Sequence, residues 1–393
     1  MGDKLPRFKA AAVQAAPVFL DREASVEKAC GLIGSAAENG ADLIVLPEVF
    51  IPGGPHWAWS MGMHRGVPFS KELYLNSVDV PSESTAKIGE AAKKYGAYVV
   101  IGINERDNKS LYNTLLFFDR KGSIMGKHRK FKPTGAEKLV WGEGDGSTHT
   151  VYDTDIGRMG GLICGEHAMV LPGYALSAMG EQIHIASWVG FSSSTDVSLT
   201  EICSRYHSIA YCAFVICSQG VLDEQVGRKL HLDLKAGGAW TAIIEAGTGR
   251  IMAGPLPPAE EGIVYAEIDL NDAVSHYFVH EPTGHYWPKQ FRVFFDAREM
   301  KPLNFGKAPE TCDTSIDAER QREESPKGTC ESGGRGGGHD GQEAVGAIFS
   351  SILPEPVRYQ DCEALNAEYD RHAPRPPGLL PENTGEDRPP EAA

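Results

Sequence analysis

The 393 residues, 41% of them hydrophobic, can build one large or two ordinary domains around a sizeable core. A formal net charge of −15 argues against a nucleic-acid binder, which would usually present a basic face. No apolar run approaches the length of a membrane span, and Met1-Gly-Asp-Lys-Leu-Pro-Arg7 has neither a signal-peptide layout nor a Ser or Thr at position 6 for myristoylation. A cytoplasmic protein with no membrane partner is therefore expected.

In chain order, residues 8–14 are short and apolar and end near a proline, which suits a buried strand. Helical spacing over 25–39 stops at Gly40. The continuous apolar run 43–46 fits a strand covered on both faces. Residues 83–94 read as a second helix ended by Tyr95-Gly96, and 98–103 and 111–118 as two strands joined by a polar link. The second half partly repeats this plan. A strand runs into Cys164, a helix spans 170–179 and ends at Gly180, and a strand follows at 183–188. A long helix over 197–211 and strands over 214–218, 239–245 and 262–270 complete the set. Alternating β and α segments argue for an α/β domain with helices outside the sheets. The strands exceed what one ordinary sheet needs, so two packed sheets are expected.

From about Lys307 the character changes. Glu323-Glu-Ser-Pro, Gly333-Gly-Arg-Gly-Gly-Gly338 and the Pro-rich 374–390 bury little apolar surface. Residues 306–393 carry 9 Lys and Arg against 18 Asp and Glu, so much of the negative charge sits there. The chain divides into a domain over 1–306 and a low-complexity, mostly disordered acidic tail over 307–393. Within the tail, 344–353 is apolar; a residual hydrophobic stretch without a partner is favoured over a short docking helix.

The eight cysteines form no C-x-x-C pair and no Cys/His ladder with zinc spacing, so no metal site and no disulfide framework are expected. Only Cys164 joins a strand end (Arg158-Met-Gly-Gly-Leu-Ile-Cys164), a glycine turn and adjacent charge in Gly165-Glu166-His167. A thiol delivered by a strand into a tight turn before a helix is placed to be a nucleophile, and the helix N-terminus is expected to lower its pKa. Glu48, after Asp42-Leu-Ile-Val-Leu-Pro47, and Lys130, after Ile124-Met-Gly-Lys-His-Arg129, end two other strand-like runs. A base, a cation and a nucleophile can thus meet at one sheet edge.

These residues sit in motifs. Leu46-Pro-Glu48-Val-Phe-Ile-Pro-Gly, Lys127-His-Arg-Lys130-Phe-Lys-Pro-Thr134, Val140-Trp-Gly-Glu-Gly-Asp-Gly146 and Gly161-Leu-Ile-Cys164-Gly-Glu occur in that order. Tyr174-Ala-Leu-Ser-Ala-Met-Gly-Glu-Gln-Ile-His184 and Gly284-His-Tyr286 support them. In order and spacing the chain resembles the nitrilase branch of the carbon–nitrogen hydrolase superfamily, from about residue 8 to about residue 305. The resemblance implies a four-layer αββα sandwich and a catalytic set of Cys164 as nucleophile, Glu48 as general base and Lys130 as charge stabiliser. It also implies a second, orienting glutamate at Glu137. The activity implied is hydrolysis of a small-molecule nitrile to the acid and ammonia through a thioimidate and a thioester, with no metal or organic cofactor. An amidase or a nitrile or cyanide hydratase would use the same set, and an inactive scaffold with a partner-binding tail would have lost one of its members. Family members pair through the helices after the nucleophile, here 170–179 and 197–211, so a homodimer, with extension to spirals open, is expected.

The departures concern the substrate. Gly165 stands where many members carry Trp, Gly135-Ala-Glu137-Lys138 replaces His-Ala-Glu-Arg, and Gly54 replaces a common aromatic residue. Trp-Pro-Lys289 follows Gly284-His-Tyr where Arg-Pro-Asp is usual. Loss of side chains at 54 and 165 is expected to enlarge a pocket lined by Gly54, Trp57, Trp59, Gly165, His167 and Trp188, favouring a bulky aryl or arylaliphatic nitrile over cyanide.

Overall fold

A computed structural model describes residues 3–191, 198–233 and 236–300. The acidic tail, including 344–353, lies outside the described residues. The strands are β1 (Arg7–Gln14), β2 (Leu43–Val45), β3 (Tyr98–Asp107), β4 (Ser110–Phe118), β5 (Ile124–Arg129), β6 (Tyr152–Thr154), β7 (Gly157–Ile163), β8 (Ile183–Trp188), β9 (Phe214–Gln219), β10 (Ala242–Ile244), β11 (Ile251–Ala253) and β12 (Gly262–Asp269). The helices are α1 (Arg22–Glu38), α2 (Gly62–Asn76), α3 (Glu83–Tyr95), α4 (Val170–Ala178), α5 (Leu199–Tyr211), α6 (Glu224–Leu230) and α7 (Val274–Tyr277). No described helix is long and apolar enough to cross a membrane.

Two six-stranded sheets form, in the orders β12-β1-β2-β3-β4-β5 and β11-β10-β9-β8-β7-β6. Read from β12 and from β6, the successive pairings are antiparallel, parallel, parallel, antiparallel and antiparallel in both. The partial repeat in the sequence is thus a repeat of architecture, in which β1 matches β7 and β2 matches β8.

Strand alternation builds the layers. Phe8, Ala10, Ala12, Leu43 and Val45 join Ile163, Ile183, Ile185 and Phe214 in the core between the sheets. Their neighbours Ala11, Val13, Ile44 and Leu46 face the other way and pack with Val26, Ile33, Ile88 and Ala92 of α1 and α3. A strand buried on both faces has to read as a continuous apolar run, as β2 does. α4 and α5 pack against the second sheet, which completes the αββα order. The helices start where side chains cap them: Asp21 Oδ1 accepts from Ala24 N (3.0 Å) at α1 and Ser198 Oγ from Glu201 N (3.1 Å) at α5. Gly96 ends α3 at φ +63°. α2 carries no clear sequence signal because Gly62, Gly66 and Pro68 all fall within it.

One contact of the first sheet bears directly on Glu48. Gly102 of β3 donates to Pro47 O (3.1 Å) and accepts from Ile51 N (3.3 Å). A Cβ at position 102 would stand 2.5 Å from the Glu48 Cα and 2.4 Å from Val49 N. Backbone cannot move aside as a side-chain tip can. Gly102→Ala is expected to cost about 1–3 kcal/mol of stability through overpacking. It should also lower activity by displacing Glu48; a variant with unchanged melting temperature and turnover would contradict this.

Candidate active site

The basic run Lys127-His-Arg-Lys130 is split by the pleat of β5. Lys127 and Arg129 turn to one side, where Glu105 and Asp107 of β3 take them; Arg129 Nε and Nη2 reach the two Glu105 oxygens at 2.8 and 2.7 Å. His128 and Lys130 point inward and are buried. Hydrogen bonding from Arg129 and Lys127 outweighs burial and holds the Glu105 carboxyl below its ordinary value.

Lys130 Nζ donates to Glu48 Oε1 (3.0 Å) and to Glu137 Oε2 (2.9 Å). Glu48, Lys130 and Glu137 are 2%, 1% and 5% exposed, so one ammonium serves two carboxylates almost without water. Nζ also lies 5.8 Å from the Trp141 ring centroid. Glu48 follows β2 and is fixed from two further directions. Asn113 Nδ2 of β4 donates to Oε1 (2.6 Å), and Val189 N, just past β8, donates to Oε2 (2.7 Å). Glu137 sits in a short 3₁₀ turn, Gly135–Leu139, and Oε2 also accepts from Thr134 N (2.7 Å). Burial works against the Lys130 charge, but Glu48, then Cys164 and Glu137, outweigh it and hold the ammonium charged. Burial raises the Glu48 carboxyl above 4.5, with Lys130 opposing.

Cys164 ends β7 at φ +50°, an unusual conformation for a residue with a side chain, and opens a 3₁₀ turn, Cys164–Ala168. Its thiol is held well above its ordinary 9.0, first by burial and then by the Glu48 charge; Lys130 opposes both. The net lowering expected from a helix N-terminus is therefore corrected: Lys130 pulls the thiol down, but burial and Glu48 outweigh it. The turn is too short to carry a strong dipole, and α4 begins only at Val170. Burial thus favours the neutral thiol over the thiolate.

The cavity beside Cys164 has a volume of about 460 Å³ and is lined by Gly54, Trp59, Glu137, Gly165 and Trp188, with Thr134, Trp141, Val189 and Phe191 among the others. Two expected pocket residues lie elsewhere. Trp57 is core: it packs between Phe19 and Phe69, and its Nε1 donates to Ser70 Oγ (3.1 Å). His167 is buried beneath the turn, with Nδ1 2.8 Å from the Cys164 carbonyl oxygen. The two glycines border the cavity, each with a side chain of a neighbour close to where a Cβ would stand. A Cβ at 165 would meet Thr134 Oγ1 at 2.8 Å, and one at 54 would meet Val189 Cγ2 at 3.0 Å. Thr134 and Val189 already fill those directions.

Glu166, which the sequence marks only as adjacent charge, ties the turn to the lysine strand. It is fully buried; Oε2 accepts from Ile163 N (2.8 Å) and contacts His128 Nε2 (3.0 Å), while Oε1 accepts from Phe131 N (2.6 Å). Burial pushes its carboxyl up, but His128 and the two amides win and hold it below its ordinary value. Asn113, Thr134 and the Val189 amide were likewise not expected. Asn113 and Val189 act on Glu48 from far along the chain, which no motif spacing announces, whereas Thr134 and Glu137 stand in the T-x-x-E spacing of a capping box, a signal that could have found Thr134.

Comparison with known proteins gives a family. The profile of the carbon–nitrogen hydrolase family matches residues 9–276. A nitrilase of Bacillus sp. (strain OxB-1) is 38% identical over 309 residues, covering 76% of this chain and 91% of that protein. An aliphatic nitrilase of Rhodococcus rhodochrous is 38% identical over 316 residues (76% and 85%), and an arylacetone-specific nitrilase of Alcaligenes faecalis 33% over 308 (75% and 86%). Among solved structures, Nit3 of Saccharomyces cerevisiae, a member of branch 10 of the nitrilase superfamily, shares the fold with a TM-score of 0.59 at 22% identity. It covers 72% of this chain and 98% of that one.

The Glu166 geometry sets an expectation. In Glu166→Gln the amide NH₂ must face one of two buried N–H donors, at a cost of about 1–3 kcal/mol. The measurement is the urea midpoint, which should fall at unchanged slope; an unchanged midpoint would refute the anchoring role.

Proposed function

The chain belongs to the carbon–nitrogen hydrolase family, on its nitrilase branch, and from that premise we propose that it hydrolyses an organic nitrile to the carboxylic acid and ammonia at Cys164. The observation that carries the residue roles is the single buried Lys130 ammonium held between Glu48 and Glu137 beside the thiol. Glu48, raised by burial, is a stronger base than a surface carboxylate and takes the Cys164 proton. The thiolate adds to the nitrile carbon, and the nitrogen takes up the proton to give a thioimidate. Water, deprotonated by Glu48, adds to that carbon; the C–N bond then breaks and ammonia leaves with the transferred protons. A second water cleaves the thioester in the same way, releasing the acid and restoring the thiol. Lys130 donates to the atom that carries negative charge at each addition, and Glu137 holds Lys130 in place.

The cavity supports an aryl or arylaliphatic substrate, since Trp59, Trp141, Trp188 and Phe191 line it. An amide would follow the second half of the same route. The proposal includes a cytoplasmic homodimer, with extension to spirals open. Val170, Leu171, Ile202, Tyr206 and Ile209 leave α4 and α5 with an exposed apolar face suited to pairing.

Two tests follow. Cys164→Ala is expected to release no ammonia from phenylacetonitrile, and mass spectrometry of the parent enzyme under substrate should find the adduct on Cys164; full turnover by the variant would refute the assignment. Acid, amide and ammonia quantified from one nitrile separate the hydrolase from a hydratase, and turnover of cyanide above phenylacetonitrile would sink the aryl reading. The second test is pH. The pair needs one proton between Cys164 and Glu48, and both groups are raised, so kcat/KM should fall on the acid side at a pH above 4.5 and hold on the alkaline side beyond 9.0. A profile still flat below 4.5 would contradict it.

A further inference from the structure

Four buried side chains that the hydrolysis does not use stand in one row beneath the nucleophile turn. His167 Nδ1 lies 2.8 Å from the Cys164 carbonyl oxygen, and its Nε2 lies 3.0 Å from His184 Nε2. His184 Nδ1 is 2.9 Å from Glu181 Oε1, and Glu181 Oε2 is 3.0 Å from His207 Nε2. β8 carries His184 and α5 carries His207. Gly160 of β7 leaves room for the acid: a Cβ there would stand 2.4 Å from Glu181 Oε1.

The protons of this row can be counted. A carbonyl oxygen only accepts, so His167 Nδ1 bears hydrogen. Each of the other three contacts joins two atoms that carry lone pairs when bare, so each needs one proton between them. The row therefore holds one proton more than three neutral imidazoles supply, and that proton cancels the charge of Glu181. On an imidazole it would create a buried ion pair; on Glu181 it leaves every group neutral, the cheaper state for groups shut away from water. Burial acts in the same sense on each member. It raises the Glu181 carboxyl, depresses His167 and His207 to about 3, and holds His184 well below its ordinary value.

We propose that Glu181 is a neutral carboxylic acid in the working enzyme and that, through His184, it fixes the tautomer in which His167 donates to the Cys164 carbonyl. Glu181, His184 and His167 are then positioning residues. They secure the peptide that follows Cys164, whose backbone stands at φ +50°. The other use of such donors is a metal ion, because ligand atoms of Glu181, His184 and His207 lie within 4.8 Å of one another.

The positioning half rests on Cys164 as the nucleophile; the proton on Glu181 does not, and the test separates them. An infrared difference spectrum between the full-length protein and Glu181→Gln is expected to show loss of a protonated-carboxyl C=O band. Loss of a carboxylate band instead overturns the neutral acid. Glutamine offers the same donor and acceptor, so Glu181→Gln should fold and keep kcat and KM within about threefold, less than one hydrogen bond is worth. Its failure to fold, or a stoichiometric metal in the parent protein that the variant lacks, overturns the proposal. His167→Ala is expected to lower kcat by about tenfold to a hundredfold with little change in KM. His167→Asn, whose amide N–H can reach the same carbonyl, should recover most of that. Undiminished kcat in His167→Ala, or an equal loss in both variants, overturns the positioning role. If His167→Ala does not fold, His167→Asn decides alone, near-full kcat supporting the role and a large loss overturning it. Activity retained by Cys164→Ala would remove the nucleophile and leave the infrared result standing.

Discussion

A lone ammonium sealed between two carboxylates is the constraint from which the rest of the site follows. Removing Lys130 from water is unfavourable by itself, and Glu48 and Glu137 at 3.0 and 2.9 Å are the ion pairs that make it tolerable. The carboxylates are in turn held by Asn113, Val189 and Thr134. Every element that contributes a partner is thereby fixed in register with the others. The site is built as much by the need to neutralise buried charge as by hydrophobic packing.

The repeated strand order explains how groups so distant in sequence converge. β2 and β8 hold matching positions in the two sheets, and both end at the site: β2 leads into Glu48, and β8 into Val189, whose amide binds that same carboxylate. β7 brings Cys164 to the same end of the second sheet. Glu166 then links the cysteine turn to Phe131, one residue past Lys130. The hydrogen bonds from Val189 to Glu48 and from Phe131 to Glu166 therefore also tie one sheet to the other.

Much of this was legible in the chain. Doubly covered strands announce themselves as apolar runs, which is why β2 and the two-sheet plan could be read directly. The order of Glu48, Lys130, Glu137 and Cys164 carried the family signal. What could not be read depends on direction rather than identity. Lys127 and Arg129 look no different from Lys130 in the sequence, yet the pleat sends them outward to Glu105. Trp57 looks as available to a cavity as Trp59, but its ring is spent between Phe19 and Phe69. The proton affinity of Cys164 also escaped, because the burial and the Glu48 charge that raise it belong to the assembled site.

The contact between positions 165 and 134 has an evolutionary consequence. A Cβ on Gly165 would come within 2.8 Å of Thr134 Oγ1, so the two positions share one volume. They form an epistatic pair: whatever occupies one decides which side chains the other can accept. Gain of a large residue at 165 requires Thr134 to rotate away or to be replaced by something smaller. A residue-by-residue alignment would score the two sites as independent and miss the coupling.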